Sequence, residues 1–272
     1  MAATRIKQLR VLLAEDNPVN QLFATRLIER QGHIVRVVSN GQLALNAIRH
    51  EKFDVVLMDI GMPLMDGFEA VSELRQLEKQ TGCHLPVIAM TANAMPVDRG
   101  KCLAVGMDDF VSKPVQAADL AAAMTRVFQA TPQAQADIET PFGVDTETNE
   151  TPACDLAAAL QKNGGDKIFL KELVQLFLDT IPAQLQSLQT AMQGRDRKLI
   201  GDVAHSVKGS VRHFLAAPAY DSAQQLEMIS RSGDMAVIEQ TYERLRSEVQ
   251  RLRTRLLGML FSLREASPDS GA

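Results

Sequence analysis

The chain has 272 residues, of which 46% are hydrophobic, 23% charged and 4% aromatic with no Trp, and its formal net charge is -4. That composition suits one or two globular domains with mainly aliphatic cores, and the mild acidic balance argues against a nucleic-acid protein, which is ordinarily basic. No run reaches the roughly 18 apolar residues of a membrane helix, so no direct membrane insertion is expected, residues 1–10 lack a secretory apolar region, and the scattered Cys83, Cys102 and Cys154 fit a reducing cytoplasm.

From Leu9 to about Gln129, short apolar runs alternate with segments of helical periodicity. The runs are Val11–Ala14, Ile34–Val38, Asp54–Met58, Leu85–Ala89 and Asp109–Val111. Each is too short for a helix and rich in branched residues, which predicts five buried strands. Leu22, Leu27 and Ile28 mark one intervening helix, and Leu43, Ala44, Ala47 and Ile48 the next. Such alternation predicts a doubly wound parallel sheet covered by helices on both faces. The composition then shifts. Thr131 to Thr151 is rich in Thr, Pro, Gln, Asp and Glu, and no Lys or Arg occurs between Arg126 and Lys162, which reads as a self-repelling linker. From about Asp155 to Glu265 only helical spacing appears, through Ile168, Phe169, Leu173, Leu176 and Phe177, then Leu185 and Leu188, then Leu199, Val203, Val207 and Val211, and last Val237 to Leu257. Pro182 and Pro218 can open or kink helices, and Gly194 and Gly233 can close them, giving a bundle of about four core helices. The expected organisation is therefore an α/β domain over 1–129, a linker over 130–153 and an all-α bundle over 154–268.

In an open parallel sheet, ligands bind beyond the carboxyl ends of the strands. Those ends carry Glu15-Asp16 after the first strand, Asp59 at the third, Thr91 at the fourth and Lys113-Pro114 at the fifth. Three carboxylates crowded on one rim repel one another, and a hard divalent cation removes that conflict. Mg²⁺ suits the set, and a carboxylate beside it can attack phosphorus to form an aspartyl phosphate. Lys113 and Thr91 can stabilise the charge on the transferring group.

The stretches Leu12-Leu13-Ala14-Glu15-Asp16-Asn17, Met58-Asp59-Ile60-Gly61-Met62-Pro63, Met65-Asp66-Gly67, Met90-Thr91-Ala92 and Phe110-Val111-Ser112-Lys113-Pro114 resemble the receiver domain of bacterial response regulators and hybrid sensor kinases. The resemblance covers residues 9–129 and implies a flavodoxin-like fold. It implies that Asp59 is the phosphoacceptor and that Glu15 and Asp16 hold Mg²⁺ with the backbone carbonyl of Gly61. It also implies that Thr91 and Lys113 bind phosphoryl oxygens, that Lys113–Pro114 is cis, and that Phe110 is the aromatic that moves with Thr91. Phe110 carries no hydroxyl, and Gly61 places no side chain over the phosphoryl group.

Of five histidines, His205 stands out. Val203, Val207 and Val211 repeat every four residues and are expected to face the core. His205 lies two residues from Val203 and from Val207, a turn of about 200°, so it is expected to face solvent. Lys208 and Arg212 share its side, where they would attract a phosphoryl group and an acidic partner, and Gly209 lets another protein approach. The stretch Ala204-His205-Ser206-Val207-Lys208-Gly209-Ser210, with Asn163-Gly164-Gly165-Asp166 upstream, resembles histidine phosphotransfer (HPt) domains over about 155–255. That resemblance implies His205 as phosphocarrier, with Lys208 helping to neutralise the phosphoryl group. Many members have a glycine near position 215, where this chain has Phe214-Leu215-Ala216.

Together these features predict a cytoplasmic phosphorelay protein without an ATP-using kinase core: there is no GxxxxGK[ST] loop, nor the Asp-x-Asp pattern of a dehalogenase-type phosphatase. Phosphate would pass from a sensor histidine kinase to Asp59, and through His205 to a downstream response regulator receiver. Two alternatives stay open: the C-terminal part of a hybrid sensor kinase, or a docking module and phosphate drain. Met1 and the missing kinase core favour a stand-alone protein.

Overall fold

The computed structural model describes residues 8–91, 96–129, 154–162 and 165–265. The linker expected over 130–153, together with Ala92, Asn163 and Gly164, lies outside them. The described residues form two compact units, one on either side of 130–153.

In the first unit, β1 (Arg10–Ala14), β2 (Ile34–Val38), β3 (Val55–Asp59), β4 (Val87–Thr91) and β5 (Asp109–Ser112) form one parallel sheet in the order β2-β1-β3-β4-β5. Between and after them run α1 (Pro18–Arg30), α2 (Gly41–His50), α3 (Gly67–Thr81), α4 (Pro96–Val105) and α5 (Ala117–Gln129). Alternate strand residues point to opposite faces, and the apolar core divides accordingly. Val11, Leu13, Val55, Leu57, Ile88, Met90 and Val111 pack with Ala24 and Ile28 of α1 and Leu120 and Met124 of α5. Leu12, Ala14, Val56, Met58, Val87 and Ala89 pack with Ala44 and Leu45 of α2, Ala70, Val71 and Leu74 of α3, and Cys102 of α4. The doubly wound expectation holds.

Local chemistry sets the helix starts. Asn17 Oδ1 accepts the backbone N–H groups of Val19 and Asn20 at 2.9 and 3.2 Å, with Pro18 at the first position of α1. Asp66 and Glu69 form a reciprocal capping box at the start of α3. Two expectations need correction. β2 is an edge strand and only partly covered, with Ile34 exposed, whereas the reading of five buried strands treated all alike. On α2 the buried leucine is Leu45, and Leu43 faces out.

The second unit is helical among its described residues: α6 (Leu156–Lys162), α7 (Lys167–Gly194), α8 (Arg197–Arg212), α9 (Ala217–Ser230) and α10 (Met235–Glu265). The four long helices pack in a ring, α7 on α8, α8 on α9, α9 on α10 and α10 on α7. Phe177 and Phe214 meet edge to face at its centre, 5.0 Å between centroids. α7 runs through Pro182, and Arg195 rather than Gly194 takes the left-handed conformation that ends it. Gly233 follows α9, where an added Cβ would lie 2.7 Å from the Ile229 carbonyl oxygen. Pro218 sits in the first turn of α9. Ile168 and Leu199 lie exposed and Val203 only half-buried, contrary to the periodic reading; Leu170 and Ile200 fill the core beside them. Leu215 adopts φ 51°, so leucine here holds the left-handed backbone that glycine adopts without strain. No helix among the described residues is long and apolar enough to cross a membrane.

Candidate functional site

Parallel pairing brings the carboxyl ends of β1, β3, β4 and β5 to one rim. Glu15 and Asp16 directly follow β1, Asp59 is the last residue of β3, Thr91 the last of β4, and Lys113 follows β5. The Lys113 N–H donates to the Thr91 carbonyl at 2.7 Å, continuing the ladder, and the Lys113–Pro114 bond is cis. The start of α3 closes tightly on the rim: a Cβ on Gly67 would sit 2.3 Å from the Asp59 carbonyl oxygen, so only glycine fits there.

Carboxylate oxygens of Glu15, Asp16 and Asp59 all lie within 4.8 Å of one another. Lys113 Nζ stands 2.6 Å from Glu15 Oε2 and 2.5 Å from Asp59 Oδ2. Asp59 is 2% exposed. Glu15 Oε1 accepts from the Asn17 N–H at 3.2 Å and from Asn20 Nδ2 at 2.9 Å, and the Gly61 N–H donates to Asp59 Oδ1 at 3.2 Å. Burial, and then the Asp59 charge, raise the Glu15 carboxyl to about 7 despite Lys113. For Lys113 burial acts to lower the pKa, but the attraction of Asp59 and Glu15 outweighs it and holds the ammonium well above its ordinary range. Three hard oxygen donors with excess negative charge fit a divalent cation, whose charge would relieve the repulsion felt by Glu15. Thr91 is buried, and Phe110 packs half-buried against the apolar layer under α2, α3 and α4.

In the second unit, His205 and Lys208 project from α8 toward Glu227 of α9. His205 Nδ1 lies 2.7 Å from Glu227 Oε1, and Lys208 Nζ lies 2.5 Å from Glu227 Oε2. Burial alone would raise Glu227, but the hydrogen bonds and charges of His205 and Lys208 lower it to about 2. A carboxylate so firmly ionised only accepts, so Nδ1 carries the proton, and in the neutral ring the lone pair is then on Nε2. The His205 side chain is 26% exposed. The expectation of a ring turned fully to solvent therefore needs correction, because Glu227 covers one edge of it. Lys208, expected on a solvated face, is only 10% exposed. Arg212 lies over the Tyr220 ring, 5.5 Å from its centroid. Gly209 is half-buried.

Glu227 was not singled out from sequence. Its signal is a carboxylate set among Ala223, Leu226 and Ser230, the buried stripe of α9. One turn further along, Gly201 of α8 meets Ser230: a Cβ on Gly201 would lie 2.7 Å from Ser230 Oγ. That close approach brings α9 against the His205 turn of α8.

The pairing makes a pH prediction. The Glu227 pKa is depressed in the fold, so its stabilisation is present above about pH 4.5 and lost as pH falls toward 2. Glu227→Gln is expected to cost about 2–3 kcal/mol at pH 7. The gap should shrink on acidification; denaturant unfolding at pH 7 and pH 3.5 measures it, and a gap that does not change with pH would refute the assignment.

The response regulator receiver domain family matches residues 11–125, and the Hpt domain family matches residues 172–255. The chain is 29% identical over 230 residues to the sensor histidine kinase GacS of Pseudomonas protegens, covering 83% of this chain and 24% of that protein. It is 28% identical over 225 residues to the signal transduction histidine-protein kinase BarA of Escherichia coli, again covering 83% and 24%. It thus spans about a quarter of the length of these curated relatives. Among solved structures, the receiver domain of a sensor histidine kinase from Pseudomonas aeruginosa PAO1, with magnesium coordinated in its active site cleft, is 35% identical with a TM-score of 0.42, covering 46% of this chain and all of that one.

Proposed function

Since this chain belongs to the phosphorelay proteins, carrying a receiver domain followed by an Hpt domain and no kinase core in either, we propose that Asp59 accepts a phosphoryl group and that His205 carries one onward. The observation that carries this reading is the buried rim, where the Asp59 carboxylate touches Lys113 and lies within 4.8 Å of Glu15 and Asp16 oxygens. Mg²⁺ held by Glu15, Asp16 and Asp59, with the Gly61 carbonyl, would neutralise charge on the transferring group. An Asp59 oxygen attacks phosphorus, the P–N bond to a sensor kinase's phosphohistidine breaks, and its electron pair stays on the imidazole nitrogen. Lys113 and Thr91 bind the phosphoryl oxygens, and Phe110 follows Thr91. In the second step His205 Nε2 attacks the phosphorus of an acyl phosphate, and the P–O bond breaks to free the carboxylate. Glu227 keeps Nδ1 protonated and balances the positive charge that grows on the ring. Lys208 neutralises phosphoryl charge, and Gly209 and Arg212 lie on the docking side. The phosphohistidine then passes its group to the aspartate of a downstream response regulator receiver.

On this reading residues 1–129 are the receiver, 130–153 the linker and 154–268 the HPt domain, working in the cytoplasm. A second reading is favoured by the likeness to sensor kinases of which the chain spans 24%: the two domains act as the relay end of a hybrid sensor kinase. The test is phosphosite mapping of the chain with Mg²⁺ and a small acyl-phosphate donor. An acyl phosphate on Asp59 and a phosphoramidate on His205 support the proposal; no label on either refutes it.

A further inference from the structure

The loop between β3 and α3 holds a strained residue in full view of solvent. Leu64 has φ 70°, and the Met65 N–H donates to the Pro63 carbonyl at 2.9 Å across it, a γ-turn of the rare left-handed sense. Leucine there sets its Cβ against the following carbonyl, a clash that glycine or asparagine bears far better. The loop is pinned on both sides of the turn. Met62 is buried and Met65 packs into the apolar layer over α2 and α3. The Gly41 N–H donates to the Met65 carbonyl at 3.1 Å, and a Cβ on Gly41 would lie 2.8 Å from Met65 Cγ. The result is a large apolar side chain 91% exposed, the most exposed of the described large hydrophobics, five residues beyond Asp59. Strain of this kind persists where the surroundings over-determine it, and it gathers at functional sites. A polar residue tolerant of positive φ would serve a merely solvated turn better.

We propose that Leu64 is an interface residue that seats the phosphohistidine face of a second copy of this chain over Asp59, the reverse of the second step above; this rests on the relay reading. With Asp59 2% exposed, a protein-borne phosphoryl group reaches it only across the rim that this loop borders. The matching chemistry is a helical face with an apolar residue beside the histidine. This chain's own helical unit offers an exposed apolar side chain on the helix that pairs with His205: Met228, next to Glu227 on α9, is 71% exposed. An apolar contact would be buried only in the transfer complex, so it acts on protein donors and not on small ones.

The test compares two donors on full-length acceptors carrying His205→Gln. One donor is a small acyl phosphate; the other is the full chain carrying Asp59→Asn, labelled on His205 with phosphoramidate. Leu64→Asn is expected to keep its rate with the small donor within about twofold and to lose about tenfold or more with the protein donor. Leu64→Met should keep both rates. Leu64→Asn should unfold at an unchanged or higher temperature, so lost folding does not explain the loss. Wild-type rates from the protein donor in Leu64→Asn would overturn the proposal, as would an equal loss with both donors. Label from the small donor alone in the unsubstituted loop overturns the proposed occupant. No label from either donor overturns the relay reading itself, and this inference with it.

Discussion

Asp59→Asn is expected to abolish receiver phosphorylation, lowering hydroxylamine-sensitive label from a small acyl-phosphate donor by at least about a thousandfold. An amide has no anionic oxygen to attack phosphorus, so the loss is one of chemistry and not of fold. The fold should tolerate the change. Asn keeps an oxygen to accept the Gly61 N–H, and Lys113 keeps Glu15 as its partner at 2.6 Å. Removing the Asp59 charge also removes one of the causes that raise Glu15, so unfolding without metal should be unchanged or slightly harder. The same variant reads the relay. If His205 carries label in the wild-type chain and none in Asp59→Asn, phosphate reaches His205 by way of Asp59. If His205 label survives, the two residues trade with separate partners. Receiver label at the wild-type level in Asp59→Asn would show that another residue is the acceptor.

Lys113→Ala should damage both stability and transfer. In the fold Lys113 Nζ is the cation between two buried carboxylates, Glu15 and Asp59. Breaking such a pair from one side typically costs about 3–5 kcal/mol, because buried charge is left uncompensated. Proton uptake limits the loss. Glu15 already titrates near 7, so the fold holds a proton between pH 4.5 and 7 that the unfolded chain releases, and metal-free stability declines across that window. Without Lys113 the decline should deepen and extend upward. The deficit of the variant should therefore be larger at pH 8 than at pH 6, and added Mg²⁺ should recover more stability in the variant than in the wild type. Transfer should fall about a hundredfold or more even with Mg²⁺ present, since the phosphoryl charge loses a fixed cation. Denaturant unfolding at the two pH values, with and without Mg²⁺, gives the first result. A Lys113→Ala chain as stable as wild type at pH 8 without metal would show that the ammonium does not balance those carboxylates.

Much of this was readable from residues in order along the chain. The branched runs marked the strands, and the strand ends carried Glu15, Asp16, Asp59, Thr91 and Lys113. Parallel strands of one hand leave few ways to arrange such ends, so the rim follows from the pattern. What stayed hidden depended on lateral neighbours. Ile34–Val38 is as branched as Val55–Asp59, and only the strand order makes β2 an edge. Leu43 and Leu45 sit two residues apart on α2, and the sheet beneath decides which is buried. The periodicity of α8 placed His205 opposite Val207 correctly but treated the far side as solvent. α9 occupies part of that side, so Lys208 is covered and His205 gains Glu227 from 22 residues away. A helical wheel describes one cylinder and not its neighbour, and charges on a covered face read from sequence as solvated ones.

The contact between Gly201 and Ser230 bears on how such a carrier could be tuned. The hydrogen bond from His205 to Glu227 spans two helices, and its length depends on how near those helices stand. Where Gly201 meets Ser230, a single methyl group would meet the opposing hydroxyl at 2.7 Å. A wider residue there would wedge the cylinders apart, and a narrower one at 230 would let them close again. The pair works as a shim set one turn from the chemistry. Its thickness would set how closely the Glu227 carboxylate approaches the imidazole, while every atom of that pair stays the same.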